Sequence, residues 1–121
     1  MWLFFWYGFG YGVQNFVVMY KVQMFQDTLK AVVEETEVSS ELILSGCKQE
    51  DVIDARSLLI KLLRDMGFYP IQISKITGLN SRSVNLFLLG FGERINSRKI
   101  MRINYERLKN NLGITQEYSP S

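Results

Sequence analysis

Histidine is absent from the 121 residues, and cysteine occurs once, as Cys47. Zinc centres, disulfide frameworks and Cys/His nucleophilic pairs are therefore excluded by count. No G-x-x-x-x-G-K-[Ser/Thr] loop occurs, which removes the usual cradle for a nucleoside triphosphate. No pair of carboxylates stands out as belonging to a shared pocket. With neither nucleophile, base nor phosphate loop, the sequence reads as a non-enzyme that needs no cofactor or metal. Strand-like alternation longer than a few residues is also missing after residue 25, so the chain reads as all-α. The lone thiol fits a reducing compartment such as the cytoplasm. The length allows one domain with a modest core and is too short for two of ordinary size.

Charge is scarce overall but unevenly placed. The formal net charge is +2. Residues 25–66 hold five Lys/Arg against nine Asp/Glu, net −4, whereas residues 67–113 hold eight against two, net +6. A concentrated basic half is the electrostatic footprint of a protein that meets a polyanion.

Residues 1–20, "MWLFFWYGFGYGVQNFVVMY", carry no charge and many aromatics. The length would just cross a bilayer, yet Gly8, Gly10, Gly12, Gln14 and Asn15 dilute the run, and no basic residue precedes it as in a secretory signal. Met19 and Met24 offer alternative starts. Residues 1–23 thus form an apolar extension with several readings open: a spurious start, a disordered segment, a membrane-associated anchor or a packed arm. Residues 24–113 form the domain, and 114–121 a flexible tail.

Five to six helices are expected in a compact helical domain. Phe25, Leu29, Val32 and Val33 make a helix stripe ending near Thr36. Ser39 caps a short helix of about one or two turns, "SELIL", closed by Gly46. The strongest amphipathic pattern, Val52, Ala55, Leu58, Leu59, Leu62, Leu63 and Met66, marks a core helix stopped by Gly67. Pro70 opens the next helix, with Ile71, Ile73 and Ile76, and Gly78 closes it. Asn80 or Ser81 caps a further helix carrying Val84, Phe87, Leu88 and Phe91, which Gly90 and Gly92 weaken near its end. The last helix begins after Asn96 or Ser97, offers Ile100, Ile103 (or Tyr105), Leu108 and Leu112 for packing, and stops at Gly113.

Residues 70–88, "PIQISKITGLNSRSVNLFL", pack two helices around one glycine, the spacing of a helix-turn-helix. Ser74 is small enough to let the pair approach, while Ile73, Leu79, Val84 and Phe87 fall where it must bury apolar surface. Asn80, Ser81, Arg82, Ser83 and Asn85 are then left on the outer edge of the second helix. Arginine and asparagine can bond guanine and adenine edges in pairs, and serines can reach phosphates or bases, so these five are candidates for reading DNA in the major groove. Lys75, Arg94, Arg98, Lys99 and Arg102 are candidates for phosphate contacts that orient without reading. Arg56 is either a salt-bridge partner or a DNA-backbone contact. Leu86 and Leu89 fit thymine methyls, the following helix, or a protein partner or second copy that also uses the C-terminal helix. A helical protein–protein interaction module without DNA binding is the alternative reading.

The order of pieces from about Leu29 to Ile95 resembles the C-terminal DNA-binding domain of the bacterial replication initiator DnaA, a Trp-repressor-like helix-turn-helix group. "LKAVVEETEVSSELILSG" is similar to the family's lead-in helix and "S-x-E-D-L-L-S" turn. "VIDARSLLIKLL" is similar to its "V-x-x-[PA]-R-Q-x-A-M-Y-L" helix, with Arg56 at the motif arginine. "PIQISKITGLNSRSVNLFL" is similar to "L-P-E-I-G-x-x-F-G-G-R-D-H-[ST]-T-V-L-H-A". The resemblance implies a stand-alone domain, of bacterial or mobile-element origin, that binds duplex DNA in replication initiation or its regulation, or in transcription. Where the family carries Arg-Asp-His-[Ser/Thr]-Thr, this chain has Leu79, Asn80, Ser81, Arg82 and Ser83, and the basic loop before the long helix is reduced to Lys48. The family's own DNA site is therefore not the expected target.

Overall fold

The computed structural model describes residues 11–114. Among these the chain is all-helical, with helices α1 (Tyr11–Thr36), α2 (Ser40–Ile43), α3 (Glu50–Asp65), α4 (Pro70–Thr77), α5 (Ser81–Ser97) and α6 (Lys99–Leu112). The apolar extension falls outside the described residues over its first ten positions, as does the tail from residue 115. From Tyr11 onward the extension is continuous with the helix expected to start near Phe25.

Helix α3 organises the domain because its sequence is apolar on more than one face. Val52, Ala55, Leu58, Leu59, Leu62 and Leu63 are buried, and so are Arg56, Ser57 and Ile60 between them. It packs against every other helix, α1 and α5 most extensively. A helix enclosed on nearly all sides must sit at the centre, with its neighbours contributing one stripe each. Those stripes include Phe25 and Val32 from α1, Ile43 from α2, Ile73 from α4, Val84 and Phe91 from α5, and Met101, Tyr105 and Leu108 from α6.

Local chemistry sets the helix ends. The Ser39 side chain accepts from Leu42 N–H at 3.3 Å and starts α2. Helix α3 ends in a Schellman turn: Phe68 N–H donates to Leu63 C=O and Gly67 N–H to Arg64 C=O, with Gly67 at φ +104°. The turn folds Phe68 back into the core, where it is fully buried. Pro70 occupies the first position of α4, and the Gln72 side chain reaches back to accept from Tyr69 N–H at 2.8 Å.

Three expectations change at the level of packing. Helix α5 continues through Gly90 and Gly92 to Ser97, seventeen residues in all, because Phe91 and Arg94 tie its second half to the domain. In α6 the inward phase is Met101, Tyr105 and Leu108, which turns Ile100 and Ile103 outward. Ile71 likewise faces solvent while Ile73 is buried.

Phe91 and Tyr105 close the α5–α6 contact edge to face, with ring centroids 5.0 Å apart. The Lys109 ammonium lies 4.5 Å from the Tyr105 ring, and the phenol donates to Asp65 at 2.5 Å. Asp65 also pairs with Lys61 at 3.2 Å. Burial first, and the bond to Asp65 second, push the Tyr105 phenol far above its ordinary range.

Candidate nucleic-acid interface

The link between α4 and α5 is three residues long, Gly78-Leu79-Asn80, and each is fixed by a hydrogen bond. Gly78, at φ +79°, donates its N–H to Ser74 C=O and closes α4 in the left-handed conformation that glycine adopts at little cost. The Ser74 hydroxyl donates to Leu79 C=O at 2.7 Å, and Leu79 N–H donates to the Thr77 hydroxyl at 3.2 Å. Ser74 therefore does more than leave room: it satisfies a carbonyl of the turn. The Asn80 side-chain oxygen accepts from Arg82 N–H at 2.7 Å and caps α5. Beneath the turn, Ile73 and Val84 are fully buried, and Leu79 and Phe87 pack against the same core.

This frame sets the outer edge of α5. Asn80, Ser81, Arg82 and Asn85 are exposed, and Ser83 is half-buried. All five stand together over the first turn and a half of α5, where the N-terminal end of the helix dipole adds positive potential. Exposed Lys75 lies on α4 and exposed Lys99 in the first turn of α6. Arg102 is exposed but directs its guanidinium to Ile95 C=O at 3.0 Å, at the C-terminal end of α5.

Three of the other arginines have different roles from those expected. Arg56 is buried and makes neither a salt bridge nor a surface contact. Its Nε donates to Ile43 C=O at 2.7 Å and one Nη to Leu42 C=O at 3.1 Å. It serves as the C-terminal clamp of α2, and burial draws its pKa below the ordinary value. A guanidinium enclosed in this way cannot also touch a DNA phosphate. Arg94 and Arg98 share Asp54 across the α3–α5 contact, at 2.9 and 2.5 Å, and each also reaches Glu50 at 3.4 Å. The bond to Asp54 raises the pKa of Arg98. Both arginines stay about one-third exposed, but their charge is matched by acids rather than free for a polyanion. Of the expected phosphate contacts, those that stay exposed without an ion pair among the described residues are thus Lys75, Lys99 and Arg102.

Sequence reasoning missed an open groove of about 850 Å³ that runs along α5 beside the start of α3. Ser83, Leu86, Phe87 and Gly90 form its floor, with Glu50, Glu93, Arg94 and Arg98 around it. Its signal was present as the spacing of those α5 residues, but the wall supplied by Glu50 comes from a distant part of the chain. Among the described residues no group of three metal-ligating side chains gathers, and no helix is long and apolar enough to cross a membrane. Comparison with protein-family models, with curated proteins and with solved structures finds no match to this chain.

Proposed function

We propose that the chain binds double-stranded DNA in a sequence-specific manner, with α4 and α5 acting as a helix-turn-helix whose second helix enters the major groove. The observation that carries this reading is the exposed polar edge Asn80, Ser81, Arg82 and Asn85, held on a turn in which each residue is hydrogen-bonded. A rigid edge matters because base readout depends on donors that are positioned before the duplex arrives.

Arg82 is suited to a guanine O6/N7 pair and Asn85 to an adenine N6/N7 pair. Ser81 and Ser83 reach phosphates or bases. Asn80 uses its oxygen on Arg82 N–H, which leaves its amide N–H groups as the donors it can offer. Lys75, Lys99 and Arg102 supply charge to the phosphates. Replication initiation or its control rests on the resemblance of residues 29–95 to the initiator's DNA-binding domain. A transcriptional or mobile-element role would use the same face.

The test is fluorescence anisotropy with duplexes recovered from a random pool. Arg82→Ala should cost about 1–3 kcal/mol on the selected site and relax preference at one base pair. Lys99→Ala should weaken all duplexes alike and reduce the salt slope by roughly 0.9. Unchanged binding in both variants refutes the reading.

A further inference from the structure

One face of α5 carries a pattern that the monomer does not use. Arg82, Leu86, Leu89 and Glu93 follow one another at steps of four, three and four, so they lie along a single stripe about 16 Å long. All four are exposed, Leu86 by 59 % and Leu89 by 82 %. Neither Arg82 nor Glu93 has an ion-pair partner among the described residues, although the nearby Arg94 and Arg98 each have two. The stripe therefore has opposite unpaired charges at its ends and two exposed leucines between them.

Gly90 sits beside this stripe. A Cβ there would meet nothing within 4 Å, and its backbone is ordinary helix, so the chain itself has no steric use for glycine at that position. Glycine inside a helix weakens it and is kept where another group must lie close to the backbone.

We infer that the stripe is a self-association surface, and that its occupant is the same stripe of a second copy, packed antiparallel about a two-fold axis between Leu86 and Leu89. In that register Arg82 faces the partner's Glu93 and Leu86 faces the partner's Leu89, while Asn85 flanks one edge of the contact beside the partner's Asn85 and Gly90 flanks the other beside the partner's Gly90. Both pairings follow from one choice of axis, and each occurs twice, as an isologous contact requires. A parallel arrangement would instead set arginine on arginine and glutamate on glutamate. The contact is small beside the roughly 1,200–2,000 Å² of a stable interface, so the dimer forms weakly, with a Kd on the order of 10⁻⁵ to 10⁻³ M.

Association would cover Arg82 and Asn85, so a second copy and a DNA duplex exclude one another on this face. That exclusion rests on the DNA-binding reading above. Self-association does not, and it is measured without DNA.

Sedimentation velocity on the full chain from about 10 μM to 1 mM tests the inference. The wild type should move from monomer toward dimer across that range. Glu93→Arg and Arg82→Glu should each weaken association about tenfold, because each sets like charges together twice per dimer. Mixing these two variants should restore association, because the mixed dimer pairs opposite charges at both ends. Leu89→Lys, at a site too exposed to affect folding, should keep the chain monomeric. A chain that stays monomeric to 1 mM, single variants that associate like the wild type, or a mixture that fails to recover would each overturn the inference. Retention of the charge-reversal pattern in a chain that binds no duplex would refute the DNA reading and leave the dimer standing.

Discussion

Replacing Arg56 by methionine separates a structural role for this arginine from a nucleic-acid role. The side-chain volume is nearly kept, while the two donors to the end of α2 are lost. Leu42 C=O retains donors from Ser45 N–H and the Ser45 hydroxyl, at 3.1 and 2.7 Å. Ile43 C=O has Arg56 Nε as its only donor among the described residues, in a buried setting. An abandoned buried acceptor costs about 1–3 kcal/mol, and relief of the desolvated guanidinium returns part of that, leaving a net loss of about 1–2 kcal/mol. In a domain of this size the midpoint of thermal unfolding should fall by about 4–12 °C. The assay is thermal denaturation followed by circular dichroism, paired with anisotropy on the selected duplex well below the transition. The folded variant should bind that duplex as tightly as the wild type. Unchanged stability together with weaker DNA binding would refute the assignment of Arg56 as a clamp and return it to the DNA surface.

Gly78→Ala meets no neighbouring atom, so its effect isolates the cost of holding an L-residue at φ +79°, and stability in urea should fall by about 1–2 kcal/mol. Tyr105 gives a pH test: its folded pKa is raised, so above about pH 10 the unfolded chain releases a proton that the folded chain retains, and stability falls by up to ~1.4 kcal/mol per pH unit. Below that pH the phenol is protonated in both states, and Tyr105→Phe should remove this part of the alkaline loss in a pH series of unfolding curves. Asp54→Asn withdraws the shared partner of Arg94 and Arg98, so low-salt binding to random duplex should tighten about three- to tenfold and the salt slope should steepen. Weaker binding in that variant would contradict the view that Asp54 holds these charges away from phosphate.

The parts of this fold that could be read from the sequence are those decided within a few residues. Ser39, Gly67, Pro70, Gly78, Asn80 and Gly113 mark helix ends because caps and left-handed turns are local chemistry, and each lies at an observed boundary. The core stripe of α3 was legible for the same reason, since one period repeats over four turns. What could not be read depends on contacts across the chain. Nothing near Arg94 or Arg98 announces that Asp54, some forty residues earlier, will neutralise them. Arg56 looked available because its acceptors are main-chain carbonyls, which every residue carries and no pattern reveals. The phase of α6 was ambiguous because Ile100 and Met101 are both apolar neighbours, and the position of Asp65 and Phe91 chose the turn that buries Tyr105. Glycines at 90 and 92 were expected to weaken the end of α5, but tertiary anchoring at Phe91 and Arg94 outweighs their weak helix propensity and the helix runs on to Ser97. The polar edge of α5 was legible as five polar residues in one place, while its rigidity came from the Ser74 and Thr77 hydroxyls.

The most direct measurement of the central claim is selection of duplexes from a random pool by the full chain, followed by titration of the enriched site against Arg82→Ala. Sequence-specific binding by the α5 edge should yield an enriched motif a few base pairs long, wild-type affinity that falls steeply with salt, and a variant that loses preference at one position while keeping its salt dependence nearly intact. A pool that emerges without enrichment, or an enriched motif that Arg82→Ala reads as well as the wild type does, would contradict it.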